Sequence, residues 1–512
     1  MKILAKLLVV FAPIVLACST EFSPRPCEAD GDCSSNQACV ALATGTACIS
    51  VGEAPIKIGM SAPFGGPNHD LGAKMSAGIQ LAFTEQNDKG GIRGRTLELD
   101  ARDDAYDPSS AEANARALLD VVPTNEAPRC PSTKDSTALY PAGGAVPVST
   151  TSLDRGPNAV LAVLGNVGTP TMVRFAPIAV ETQTLFFGAF TGAQLILRDD
   201  TCQSCKRYIF NVRASYAQEA RATLEYFAQY HGVKDYKHLI SFDQNDTYGQ
   251  AGYSGLSNAY VSLSQSPPAN LPTLPPMTNP TTDIPRFRYE RVDPVGGGQQ
   301  AVSNVINHVQ NDVLSGNTDS HVVGIMMTNV YSAAEVFIKG IKDWQAKTPD
   351  AARVKFVFSN ISFTGPNSLA TRLQGSDALG HPYSENVYVS QVVPNYADGQ
   401  DDSSLVKAYR NLQPATDHRN FTEFEGYISA RIFIAGLLAQ KQAYTTESLI
   451  QTFENLNATV DSSLVLGANS GFSAKDHNYS KTVWGTAIQS DGTFKNVYFW
   501  QQGAAPELQP YQ

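Results

Sequence analysis

The feature that most constrains this chain is the alternation of short apolar strands with helical stretches between residues 56 and 393. Residues 56–60 read as a strand. After a Gly/Pro loop comes a helix with Met75, Ile79, Ala82 and Phe83 on one face, at spacings of three and four. Gly90-Gly91 ends it with residues free to turn left-handed. Residues 96–101 form the next strand, and Pro108 opens the next helix, where its missing N–H costs nothing. Further strands are expected at 160–164, 184–187, 209–212, 238–242, 321–327, 354–358 and 387–393. Such alternation builds α/β architecture, parallel sheets covered on both faces. Near the end, Asp491-Gly492 between two apolar-rich runs reads as an antiparallel hairpin. At 512 residues the chain is too long for one ordinary core. Residues 123–157, which include Cys130, and residues 266–285, with seven prolines, break the rhythm and read as surface insertions.

Residues 1–17 read as an export signal. Lys2 and Lys6 precede an apolar run at 7–16, too short to span a bilayer, which ends Val15-Leu16-Ala17-Cys18. A small residue before a cysteine resembles the lipobox of bacterial lipoproteins. Cys18 is then the acylated mature N-terminus, anchored through more than one acyl chain. The alternative is an ordinary signal peptide cleaved near a cysteine.

Cysteine usage agrees with export. Four of the eight, Cys27, Cys33, Cys39 and Cys48, fall in a Gly/Asp/Ser/Asn-rich stretch too short to bury a core. Two disulfides are expected, in any of three pairings. Zinc is disfavoured, since this stretch has no CxxC and no nearby His. Its expected role is a stapled spacer that lifts the main body off the membrane. Cys202-x-x-Cys205 lies among charged residues and reads as a structural disulfide, within the pair or from one member to Cys130, rather than as a redox motif. The net charge of −10 leaves no basic stripe and excludes nucleic acid as a natural partner.

The motifs from residue 56 to 114 carry a resemblance. They are Gly65-Gly66-Pro67, Leu71-Gly72, Gly78-Ile79, Asn87-x-x-Gly90-Gly91-Ile92-x-Gly94-Arg95 and Asp103-Asp104-Ala105-Tyr106-Asp107-Pro108. Weaker matches follow at Phe190-Thr191-Gly192-Ala193, 211–216, Thr247-Tyr248-Gly249, Glu425-Gly426-Tyr427 and Gly471-Phe472-Ser473. Over about residues 54–501 the chain resembles the solute-binding proteins of branched-chain amino-acid-type ABC transporters. The resemblance implies two doubly wound parallel-sheet lobes joined by a three-crossing hinge, the periplasmic-binding-protein-like I fold, with ligand in the cleft. Carried onto this chain, residues 18–53 are a Cys-rich tether. Lobe 1 is 54–212 plus 388–465, and lobe 2 is 213–387 plus 466–512. The implied partners are a small carboxylate-bearing solute, an ABC permease and, through the anchor, a membrane. No cofactor or metal is implied, and no enzymatic activity.

Physical chemistry points to the same cleft. Ligands of open parallel sheets sit beyond the carboxyl ends of strands. The 165–170 loop after strand 160–164 leads into a helix expected near Thr171, whose N–H groups suit a carboxylate. Gly168 and Thr169 lie there, and Thr169 aligns with the family's carboxylate-binding hydroxyl. Phe190 and Thr191 form a second contact loop. Thr169 and Thr191 could also act as N-caps, a role that does not exclude binding. Tyr216, Tyr331 and Asn360 are the expected contacts of lobe 2. Asn360 stands where the family places an acid that grips the ligand's ammonium group. A neutral amide supplies no countercharge. The ligand therefore either lacks an ammonium group or finds another acid, with Glu219, Asp243 and Asp246 available. Asp103, Asp104 and Asp107 read as turn, cap and hinge chemistry.

A second function class keeps the fold but not the transport: a surface-anchored sensor or partner-binding receptor. Ser19 after the lipidated cysteine lacks the aspartate expected for inner-membrane retention in many Gram-negative bacteria. A third class, an exported hydrolase, finds no G-x-S-x-G elbow, no H-E-x-x-H and no phosphate-binding glycine loop.

Overall fold

A computed structural model describes residues 25–50 apart from 29, 35–36 and 43–44; residues 55–130 and 149–194; residues 207–456 apart from 317 and 442; and residues 462–511 apart from 469. The export signal, Cys18, Cys202 and Cys205 lie outside the described residues.

The Cys-rich segment forms a hairpin of β1 (Gln37–Leu42) and β2 (Gly45–Ser50). Disulfides Cys27–Cys39 and Cys33–Cys48 staple it. Its buried cysteines pack on Ala443, whose N–H donates to Glu28 O at 3.3 Å, so the hairpin is seated on the main body. Cys130 is buried and disulfide-bonded as well.

The first sheet is assembled from β3 (Ile56–Ala62), α1 (His69–Asp88), β4 (Leu97–Asp103) and α2 (Pro108–Leu118). A short pair follows, β5 (Val122–Pro123) with β6 (Leu153–Asp154), then β7 (Ala162–Leu164), α3 (Thr169–Glu181), β8 (Leu185–Phe187) and β9 (Ile209–Phe210). Its order is β4-β3-β7-β8-β9, all parallel. β3 is buried at every position but Lys57, as a strand covered on both faces must be.

The chain then builds α4 (Tyr216–Tyr226), β10 (Leu239–Gln244), α5 (Thr247–Gln265), β11 (Arg286–Tyr289), α6 (Pro294–His308), β12 (His321–Thr328) and α7 (Tyr331–Lys347). β13 (Val354–Asn360), α8 (Pro366–Arg372) and β14 (Val387–Gln391) continue it. Next come α9 (Ser404–Leu412), α10 (Phe421–Ala439) and α11 (Thr446–Glu454), and last β15 (Thr482–Ile488), β16 (Phe494–Gln501) and β17 (Leu508–Pro510). The second sheet runs β11-β10-β12-β13-β14-β15-β16-β17, parallel through β14 and antiparallel after it. The Asp491-Gly492 turn joins β15 to β16, with Gly492 at φ +84°.

α10 leaves the second sheet to lie along α1. The approach is set by glycine: a Cβ on Gly78 would stand 1.8 Å from Glu423 O, and one on Gly426 2.4 Å from Met75 O. The chain thus passes between the two sheets three times: after β9, after β14, and between Phe472, which packs on Phe187 and Phe210, and β15. Residues 266–285 lie at the surface as expected and are pinned to α5. Leu271, Leu274 and Ile284 are buried, and carbonyls of Pro275, Pro280 and Ile284 accept hydroxyls of Tyr260, Ser257 and Tyr253 from α5. Among the described residues no helix is long and apolar enough to cross a membrane.

Candidate functional site

The loops after β7 and β8 meet at the junction of the two sheets. α3 begins at Thr169, two residues earlier than the sequence suggests, and its N-cap is Gly168. Gly168 sits at φ +101°, where a Cβ would lie 2.4 Å from the Tyr106 ring, so glycine is required there. Thr169 is therefore not the cap. Its Oγ1 lies 2.7 Å from Thr191 Oγ1, and both residues are fully buried. Thr191 caps no helix either: its Oγ1 accepts the Ala193 N–H at 3.3 Å and lies 3.2 Å from the Tyr216 hydroxyl. Three hydroxyls thus run from the first lobe to α4 of the second. Tyr216 is fixed by its own N–H, which donates to Gly192 O at 2.8 Å, and burial raises its phenol above the ordinary range. The Phe190 ring faces Phe363 across the junction, centroids 5.0 Å apart, with the Arg213 guanidinium 5.2 Å from its centre.

The two other expected contacts of the second lobe are engaged differently. Tyr331 donates its hydroxyl to Pro67 O in the first lobe at 2.5 Å, a bond across the junction at the start of α1. Asn360 is buried, and its amide is used within its own lobe. Nδ2 donates to Asn329 Oδ1 at 2.6 Å and Thr364 Oγ1 at 2.8 Å, while Oδ1 accepts the Ile361 N–H at 3.0 Å. The alternative acids are also committed. Glu219 meets Arg213 at 3.0 Å and accepts from Ser362 N and Ser390 Oγ. Asp243 meets Arg286 at 2.6 Å. Asp246 caps α5 through Tyr248 N, and burial pushes its carboxyl up to about 6.

The Asp103–Asp107 segment does the turn and cap work expected. Asp103 accepts N–H groups of Phe64, Ala105 and Gly65, which outweigh burial and hold its carboxyl low. Asp107 caps α2 through Ser109 and Ser110 N–H. Asp104 is fully buried, accepts from Ser61 Oγ and Tyr106 N, and is pushed up to about 7 by burial. From the second lobe Arg291 bonds Tyr106 O and approaches Asp107 at 3.9 Å.

Three residues of this junction were not legible as site residues. Phe363, in the turn after β13, is fully buried against Tyr106, Phe190 and Tyr248. Tyr248 turns its hydroxyl to Asn329 O at 3.2 Å. Asn329, at the carboxyl end of β12, is fully buried, and its Nδ2 has no acceptor among the described residues. The usable signal was position: each follows a parallel strand or starts the helix after one. The arrangement offers hydroxyls, a helix start and an unmatched amide donor between aromatic faces, a set that suits oxygen acceptors of a small molecule.

A periplasmic binding protein family model matches residues 55–123 and 364–493. A Leu/Ile/Val-binding protein homolog 7 of Brucella abortus is 38% identical over 84 residues, 16% of this chain. That match spans 21% of the relative's length. A possible leucine/isoleucine/valine-binding protein from Rhodopirellula baltica superposes with a TM-score of 0.63 at 25% identity, over 88% of this chain and 98% of the other. This is the type I periplasmic-binding-protein fold. A fatty acid ABC transporter substrate-binding protein from Thermomonospora curvata shares it, with a TM-score of 0.60 at 17% identity over 87% of this chain and 92% of the other. The resemblance carried by the 56–114 motifs is thereby borne out.

Proposed function

We propose that this chain is an extracytoplasmic solute-binding protein that captures a small carboxylate-bearing solute between its lobes for ABC-type uptake. The observation that carries the reading is the Thr169–Thr191–Tyr216 hydroxyl chain at the start of α3, which joins both lobes at one point. A carboxylate entering there takes the place of hydroxyl–hydroxyl bonds and gains charge-assisted ones. Asn329 Nδ2 supplies a donor from the opposite lobe. Glu219 and Asp243 are each matched by an arginine, and Asn360 is neutral and internally bonded. The solute therefore needs no ammonium group, and a carboxylate with an apolar or aromatic body fits the rings of Phe190, Tyr248 and Phe363. The relatives whose names include leucine, isoleucine, valine or fatty acid all concern carboxylates, which agrees with this class.

The chain is further proposed to be a lipoprotein held at Cys18, with lobe bounds as drawn from the sequence, and to bind rather than catalyse. Small-angle scattering of the full chain tests the mechanism. Saturating ligand should narrow the size distribution toward one compact form through hinge closure. A ligand that binds tightly with no change in radius of gyration or its spread contradicts capture by closure.

A further inference from the structure

We propose a second ligand site: a pocket for a phosphate-type oxyanion between the Cys-rich hairpin and the first lobe. The cavity measures about 510 Å³ and is walled by Val40 of the hairpin, Lys57 of β3, Arg95, Arg155, Asn158 and Thr446 at the start of α11. That volume suits a small ligand. Arg155 and Lys57 bring positive charge to its wall and, among the described residues, no carboxylate lines it, in a chain of net charge −10. Acidic proteins ordinarily intersperse the two signs, so this segregation focuses a positive potential into one concave place.

Arg155 carries the argument furthest. Its guanidinium donates to Val160 O, and among the described residues it meets no carboxylate. Burial pulls its pKa down. A shielded cation without a counterion is costly, and an entering oxyanion removes that cost. The neighbouring acids are engaged elsewhere: Asp154 meets Arg129 at 2.5 Å, and Asp120 accepts the Asn158 N–H and Nδ2. Glu98 lies opposite Lys57 across the β3–β4 pairing and does not line the pocket. α11 starts at the pocket wall with Thr446, and its first-turn acid, Glu447, is held by Arg207 at 2.8 Å. A tetrahedral, multiply charged group uses several cations and arginine's forked donors better than a single carboxylate does. The source can be free phosphate or a phosphate-bearing lipid headgroup, since the hairpin is the part of the chain that follows Cys18.

The test uses the full chain with Cys18→Ser, alone and combined with Arg155→Gln or Lys57→Gln. Inorganic phosphate is titrated against chloride at equal ionic strength, with thermal unfolding and calorimetry as readouts. Phosphate should raise the midpoint where chloride does not, and each substitution should weaken its binding about tenfold. Vesicles of phosphatidylcholine with and without phosphatidylglycerol separate the sources. Co-sedimentation that needs phosphatidylglycerol and is lost in Arg155→Gln assigns a lipid headgroup; phosphate binding without co-sedimentation assigns the free anion. Equal responses to phosphate and chloride together with no vesicle binding, or binding that survives both substitutions, overturns the site. Lys57 is exposed, so Lys57→Gln keeps the test decisive if Arg155→Gln does not fold.

Discussion

Replacing Thr191 by valine keeps the side chain's volume and deletes the middle hydroxyl of the chain that joins the lobes. In the structure that oxygen lies 2.7 Å from Thr169 Oγ1, 3.2 Å from Tyr216 OH and 3.3 Å from Ala193 N, all buried. Partners left unsatisfied in a buried place cost about 1–3 kcal/mol, so the ligand-free protein should lose stability of that order. If the ligand's carboxylate also bonds this hydroxyl, a charge-assisted bond worth about 1.5–3 kcal/mol disappears, and affinity falls roughly 10- to 150-fold. Thr191→Ser keeps the oxygen and should bind within about threefold of wild type. Calorimetry gives the affinities and urea unfolding the stabilities. If Thr191→Val loses stability as expected yet binds within threefold of wild type, the hydroxyl chain is structural only and the assignment of the carboxylate site is refuted.

Three other expectations follow from separate parts of the molecule. Gly78→Ala drives a methyl group to 1.8 Å from Glu423 O on α10 and should cost at least about 3 kcal/mol through forced separation of α1 and α10, read as a lowered urea midpoint. Asp104 titrates near 7 folded against 3.8 unfolded, so the folded state holds the extra proton between those values. Its contribution is greatest below about 4 and is lost as pH rises to about 7, a change on the order of 4 kcal/mol. Asp104→Asn should therefore flatten the stability profile over that window and unfold later than wild type at pH 8; a parallel profile would show that Asp104 does not titrate there. Cys18→Ser should move the protein from the membrane fraction to the soluble one, and unchanged partitioning would count against a lipid anchor.

The parts of the fold legible in the sequence are those set by local rules. The α1 face of Met75, Ile79, Ala82 and Phe83, the Asp107 cap before Pro108 and the Asp491-Gly492 turn all depend on residues close in the chain. The stapled hairpin was legible as two disulfides, but its pairing was not, because spacing does not encode which cysteines meet. The position of Thr169 and Thr191 at the junction was legible because they follow parallel strands. That Gly168 rather than Thr169 caps α3 depends on the Tyr106 ring, which leaves room for no Cβ. Phe363 was hidden for the same kind of reason: its neighbours Tyr106 and Phe190 belong to the other lobe. α10 is buried on nearly every side and so lacks the amphipathic period that marks a surface helix. The order of residues 266–285 rests on hydroxyls of α5 reaching carbonyls, a pattern that proline content conceals.

The most direct test of the central claim is a thermal-shift screen of the full soluble chain against matched pairs, each small carboxylate beside its neutral amide, with aliphatic, aromatic and amino-acid bodies represented. At about 100 times its dissociation constant a true ligand adds roughly 2.7 kcal/mol of stability. The account predicts that at least one carboxylate raises the midpoint, that its amide does not, and that Thr191→Val abolishes most of the difference. An amide that stabilises as well as its acid, or a carboxylate effect untouched by Thr191→Val, would contradict it.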